Sequence, residues 1–193
     1  FTKGVNVDEF VVDNKMPSAT GKGYISYISN CDPALDVNNK IARANTAGEP
    51  YITGGWPGDW WLFTIPEMTI KAGTVINAKF HARASETGMK YWMLEYYDGG
   101  EWKPGAPLQT TTVGEGDQAQ TFSYNYEMMN TDHCLIDRNM TFEHAINNGD
   151  ILIRLRCMAN WQASGKGALA APNGGTHRIS VQNNINPTIS IVQ

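Results

Sequence analysis

The residues best suited to chemistry lie on three alternating segments. GTVINAKFHAR (73–83) sets His81 and Arg83 opposite the apolar series Ile76, Ala78, Phe80 and Ala82. KYWMLEYY (90–97) sets Tyr91, Met93, Glu95 and Tyr97 opposite Trp92, Leu94 and Tyr96. GDILIRLRC (149–157) sets Arg154 and Arg156 opposite Ile151, Ile153 and Leu155. If the three strands share a sheet, its wet face gathers aromatic rings, guanidinium groups and one carboxylate. Such a surface suits a sugar. Arginine donors and glutamate acceptors match hydroxyl pairs, and the C–H face of a pyranose packs on an aromatic ring. The same residues support a second reading, in which Glu95 makes cross-strand ion pairs with the arginines and the tyrosines shield the sheet.

Four tryptophans, Trp56, Trp60, Trp102 and Trp161, lie in or beside loops, where large aromatics serve either as ligand anchors or as packing under the loop. Trp56 and Trp60 flank Asp59 in GGWPGDWW (54–61), and Asp59 could accept sugar hydroxyls or close an Asx turn. Trp61, in phase with Phe63 and Ile65, reads as core, as does Trp92.

Catalysis is not indicated. HExxH, GxSxG, a Walker loop and a strand-borne GxGxxG are all missing, and the GxG pairs at Gly21, Gly114 and Gly165 read as turns. A glycan hydrolase needs two carboxylates across one cleft, and Glu95 is the one firmly placed mid-strand, with Glu127 and Glu143 weaker candidates. His133-Cys134 with His144 lacks zinc spacing. No cofactor is expected beyond a structural calcium, for which Asp8, Glu9 and Asp13, or Asp32 and Asp36, are candidates, although nothing resembles an EF-hand.

The chain has 193 residues, 41% hydrophobic and 18% charged, enough for one well-formed core. A net charge of −4 without a Lys/Arg run speaks against nucleic acid as a partner. No apolar run approaches the roughly 20 residues that span a bilayer. The chain begins at Phe1, which suggests a trimmed, secreted or cell-surface protein, with other domains of a longer parent chain as further partners. Cys31, Cys134 and Cys157 allow one disulfide at most, and Cys157 reads as a small buried hydrophobe ending an apolar set.

These side chains need short strands to hold them, and turn formers are abundant, with 19 Gly and 9 Pro. AQTFSYNYE (119–127) alternates as clearly as the three segments above; 60–65, 139–146, 177–182 and 188–192 are weaker strand candidates, and 5–12 and 24–28 add two near the N-terminus. Turns are expected at Asp98-Gly99-Gly100, Gly114-Glu115-Gly116-Asp117, Asn147-Asn148-Gly149-Asp150 and Pro172-Asn173-Gly174-Gly175. The long connections run over about 30–59 and 158–176. The pattern predicts an all-β, antiparallel two-sheet β-sandwich over 20–193, with 1–19 a lead-in or first strand.

KYWMLEYYDGGEW, GDWWLFTIPEMTIKAGTVINAKFHAR, NNGDILIRLRC and THRISVQ, in their order along the chain, resemble galactose-binding-like jelly rolls, including carbohydrate-binding modules of secreted or surface proteins from glycan-foraging gut bacteria. The resemblance implies a noncatalytic sandwich, often with a structural calcium, that binds glycan at Asp59, Trp60, His81, Arg83, Tyr91, Glu95, Arg154, Arg156 and Trp161. Trp56 joins this set as a loop tryptophan. The alternatives are a structural or adhesion domain that recognises another protein and, in third place, a glycan hydrolase.

Overall fold

The computed structural model describes residues 15–28, 42–43, 50–53, 55–169, 175–180, 182 and 185–192. The expected strand at 5–12, Cys31, the aspartate and glutamate candidates for calcium and most of the Pro172–Gly175 turn lie outside the described residues. In chain order the strands are β1 (Lys15–Pro17), β2 (Tyr24–Ile28), β3 (Ala42–Arg43), β4 (Pro50–Thr53), β5 (Trp60–Ile70), β6 (Thr74–Ala84), β7 (Tyr91–Asp98), β8 (Glu101–Pro104), β9 (Gln109–Val113), β10 (Gln120–Tyr124), β11 (Tyr126–Glu127), β12 (Cys134–Phe142), β13 (Ile146–Cys157), β14 (Thr176–Ser180) and β15 (Thr188–Val192).

The strands form an antiparallel two-sheet β-sandwich, as the alternation predicts. The first sheet runs β1-β2-β5-β13-β7-β11, with β8 sharing the far edge of β7, and the second runs β12-β6-β14-β4-β3, with β15 beside β14 along β6. From β5 to β7, and again from β12 to β14, each long strand lies in the sheet opposite its predecessor, the jelly-roll manner of closing a sandwich. Strand β1 falls within the segment read as a lead-in or first strand.

One apolar face of each long strand makes the core. Ile76, Ala78, Phe80 and Ala82 of β6 are fully buried against Trp61, Trp92, Leu94, Ile153 and Leu155 of the first sheet. Phe63 and Phe80 stack between the sheets with ring centres 4.8 Å apart, and Tyr96 meets Phe142 at 5.0 Å. Burying an aliphatic or aromatic side chain of this kind stabilises the fold by about 1.5–3 kcal/mol. Cys157 is buried at the end of its apolar set.

The Asp98-Gly99-Gly100 turn closes the β7–β8 hairpin, with Asp98 opposite Glu101. Gly99 and Gly100 have φ of 64° and 93°, the left-handed pair that a tight primed turn requires. The expected turn at Asn147–Asp150 does not connect two strands. It is an irregularity inside β13, where the register against β5 slips around Gly149 and Asn148 takes φ 50°. The same Asn-Gly chemistry that makes turns also makes bulges, and here the strand continues.

A second correction concerns the face on which the sequence reading placed its site. Strands β7 and β13 are neighbours, but β6 belongs to the opposite sheet. His81 and Arg83 therefore lie on the far side of the molecule from Glu95, Arg154 and Arg156. Periodicity fixes which way a side chain points, and it carries no information about which strands pair.

Candidate functional site

The outer face of the first sheet brings together Trp60, Glu95, Arg154 and Arg156. Cross-strand register sets Arg154 opposite Glu95 and Leu62, and Arg156 opposite Met93 and Trp60. On β8, Trp102 pairs with Tyr97 and touches its ring at 5.3 Å. These side chains project from paired strands rather than loops, so the backbone ladder fixes their spacing.

Glu95 is the hub. Its Oε2 accepts from Arg154 Nε at 2.7 Å and from Arg156 Nε at 3.0 Å, and its Oε1 accepts from Arg156 Nη2 at 3.1 Å. The carboxylate side chain is only 7% exposed, against 12% for Arg154 and 30% for Arg156. The expected cross-strand ion pairs thus form. They leave the carboxylate with both oxygens engaged by guanidinium donors.

Arg154 also lies over two aromatic rings. Its guanidinium carbon lies 4.0 Å from the centre of Trp102 and 5.3 Å from that of Trp60. Burial pulls this guanidinium below its ordinary value, and the bond and charge of Glu95 oppose that. An arginine begins so high on the scale that it stays cationic at neutral pH. The result is a planar cation with fixed orientation between two indoles.

The remaining sequence candidates fall elsewhere. Asp59 is fully buried: its Oδ2 accepts from the Tyr27 hydroxyl at 3.1 Å and from the Trp56 amide at 2.9 Å. It braces the turn into β5 by bonding back to Trp56, three residues earlier, which is not an Asx turn, and it does not reach the outer face. Trp56 is half-buried in that turn. Tyr27 in turn lies 3.3 Å from Nε2 of the buried His177, whose Nδ1 accepts from Trp61 Nε1 at 2.9 Å, so Asp59 belongs to a polar chain within the core.

Tyr91 does point outward, but it is covered. The β9–β10 ribbon lies over it, with Phe122 and Tyr124 meeting its ring edge-on at 5.1 and 4.9 Å. Trp161 and Met158 pack against the same small cluster. Trp161 is therefore part of the wall that closes the Tyr91 end of the face. Burial, followed by its bond to Glu127, pushes the Tyr124 hydroxyl up to about 12.

On the second sheet His81 is buried, with Nδ1 unpartnered among the described residues, and Arg83 donates to the Asn130 carbonyl at 2.8 Å. Among the described residues no three His, Cys, Asp or Glu side chains are arranged to hold a metal, and the residues expected to bind calcium lie outside them. No described helix is long and apolar enough to cross a membrane.

Sequence reading missed Trp102 as a partner of Arg154: the Asp98-Gly99-Gly100 turn sets β8 beside β7, but nothing local shows that β13 pairs along the other side of β7. It also missed Asn125, whose side-chain Oδ1 accepts from the Leu94 amide at 2.7 Å while its Nδ2 donates to the Leu94 carbonyl at 3.1 Å. That amide fills the gap along β7 between β11 and β8, and so helps to anchor the chain leaving the covering ribbon. A cleft of about 160 Å³ opens beside the β1–β2 turn, walled by Met16, Gly23, Phe63 and Ile189. Neither the tryptophans nor the arginines of the outer face border it.

The sequence matches no protein-family model and no curated protein. Among solved structures, one titled "CBM4 structure and function" aligns with 97% of this chain and 100% of its own, at 13% identity and a TM-score of 0.49.

Proposed function

We propose that the chain is a noncatalytic carbohydrate-binding or accessory module of an exported protein, with its ligand laid across the outer face of the first sheet. The observation that carries this reading is the Arg154 guanidinium held between the Trp60 and Trp102 rings and hydrogen-bonded to Glu95. Apolar ring surface beside fixed donors is what a pyranose, with one C–H face and a rim of hydroxyls, can use. Rigid aromatics on strands also cost little entropy to engage. Glu95 acts here as a positioning residue that aims both arginines. An open sheet face leaves much of a ligand in water, so affinity is modest.

A second reading has its own support. The ion pairs close Glu95 within the protein, as a structural or adhesion face would. The hydrolase reading is the weakest, because both oxygens of Glu95 are held by arginines rather than by a proton-transfer partner.

A glycan array probed with the purified chain, with and without calcium, separates these readings. Binding to a defined set of glycans that Arg154→Ala abolishes, with folding intact by circular dichroism, supports the module. Silence across a broad array from a folded sample favours the adhesion domain.

A further inference from the structure

We infer that the preferred glycan is acidic, carrying carboxylate or sulfate groups, and that Arg154 and Arg156 receive the anionic oxygens. This rests on the carbohydrate-binding reading of the same face.

The inference follows from which hydrogen-bonding positions the protein leaves unused. Glu95 accepts three bonds, all from the two arginines. Arg154 spends only its Nε–H, and both of its terminal nitrogens make no hydrogen bond among the described residues. Arg156 spends Nε and Nη2, the latter also 3.9 Å from Met93 Sδ, and leaves Nη1 unused. What these three charged side chains offer a ligand is therefore donors alone. A neutral sugar hydroxyl uses such donors with only its acceptor half and leaves its O–H to water, whereas a carboxylate or sulfate only accepts and is matched in full, with charge, by a guanidinium edge.

Charge points the same way. Two guanidinium groups against one carboxylate leave a local charge of +1 on a chain whose net charge is −4. The Trp60 and Trp102 rings lie against Arg154 and lower the dielectric around its charge.

The test uses backbone-matched pairs on the intact chain: polygalacturonate with its full methyl ester, and dextran sulfate with dextran, followed by isothermal titration. Poly-L-glutamate serves as a polyanion without sugar. The expected result is at least about tenfold tighter binding to the acidic member of one pair, with the preferred pair separating carboxylate from sulfate. Arg156→Gln, which leaves the Arg154–Glu95 bond in place, should remove most of that preference. Equal binding to acidic and neutral members, or binding to neutral array glycans alone, overturns the inference while the module reading stands. Equal binding to poly-L-glutamate overturns it as well, because simple charge attraction then suffices. No binding to any glycan, on the array or in titration, overturns both.

Discussion

The guanidinium of Arg154 on β13 stacks 4.0 Å from the Trp102 ring on β8, reaching across the intervening strand β7. Glu95, on β7 between them, supplies the in-plane bond that fixes the angle of the guanidinium. Arg154→Lys keeps the charge but loses the planar fork and the ring contact. It should weaken glycan binding by roughly 3- to 30-fold, the range that a partly desolvated cation–π contact spans. Trp102→Leu should weaken binding to a similar extent and leave the melting temperature within a few degrees of wild type. Calorimetric titration beside thermal melts reads both, and unchanged affinity in both variants would remove this pair from the site.

Glu95 lets stability and binding be separated. Glu95→Leu leaves two neighbouring, partly buried guanidinium groups without their carboxylate, and should cost about 3 kcal/mol in urea unfolding. Replacing all three charges, Glu95→Leu with Arg154→Leu and Arg156→Met, removes the repulsion and should restore most of that loss, since buried ion pairs are often no better than apolar groups of like volume. The triple variant should nevertheless bind no glycan. A triple variant that still binds would show that the tryptophans act without the arginines.

Asp98 gives the fold a pH dependence of definite sign. Its side chain is only 1% exposed, and burial alone would raise its carboxyl. Lys103 and the backbone amides of Glu143 and His144 outweigh that and hold it below the usual carboxylate range. A carboxyl lowered on folding stabilises the protein above the unfolded value near 4, and that stabilisation is lost as pH falls through the lower folded value. Asp98→Asn should therefore be clearly less stable than wild type at pH 7, with the gap narrowing below about pH 4. Urea titrations at pH 7 and pH 3 measure the gap, and an unchanged gap would mean that the charge of Asp98 contributes nothing.

The contrast between Arg154 and His81 shows what the sequence could and could not tell. Alternation placed both on outward faces, and both do lie there, because a period of two is imposed by the strand itself. Strand neighbours are set by the global topology, so His81 ended on the opposite sheet while Trp102, two strands from Arg154, joined it. Tyr91 was legible as outward but not as covered, because alternation does not show that Phe122 and Tyr124 of the β9–β10 ribbon pack onto its ring. Asp59 shows the limit from another side. A polar residue in a tryptophan-rich loop looks available, yet the buried Tyr27 hydroxyl needed its carboxylate.

Asn125 provides the sharpest check on how the covering ribbon is held. Its side chain stands in for a strand at the point where β11 has ended and β8 has not yet begun, accepting from the Leu94 amide. Leu94 is fully buried, so Asn125→Ala leaves that N–H without an acceptor and should cost about 1–3 kcal/mol. Asn125→Asp keeps the acceptor for the Leu94 amide but sets a buried carboxylate oxygen against the Leu94 and Ala106 carbonyls to which the amide had donated. The aspartate variant should therefore be no more stable than the alanine variant at neutral pH, while retaining the local acceptor for the Leu94 amide. Hydrogen exchange at the Leu94 amide, taken relative to each variant's global stability, separates this account from simple loss of packing: exchange should speed markedly in the alanine variant and little in the aspartate variant. If both variants exchange alike, the anchor is the backbone bond from Asn125 to the Trp92 carbonyl, which neither substitution removes.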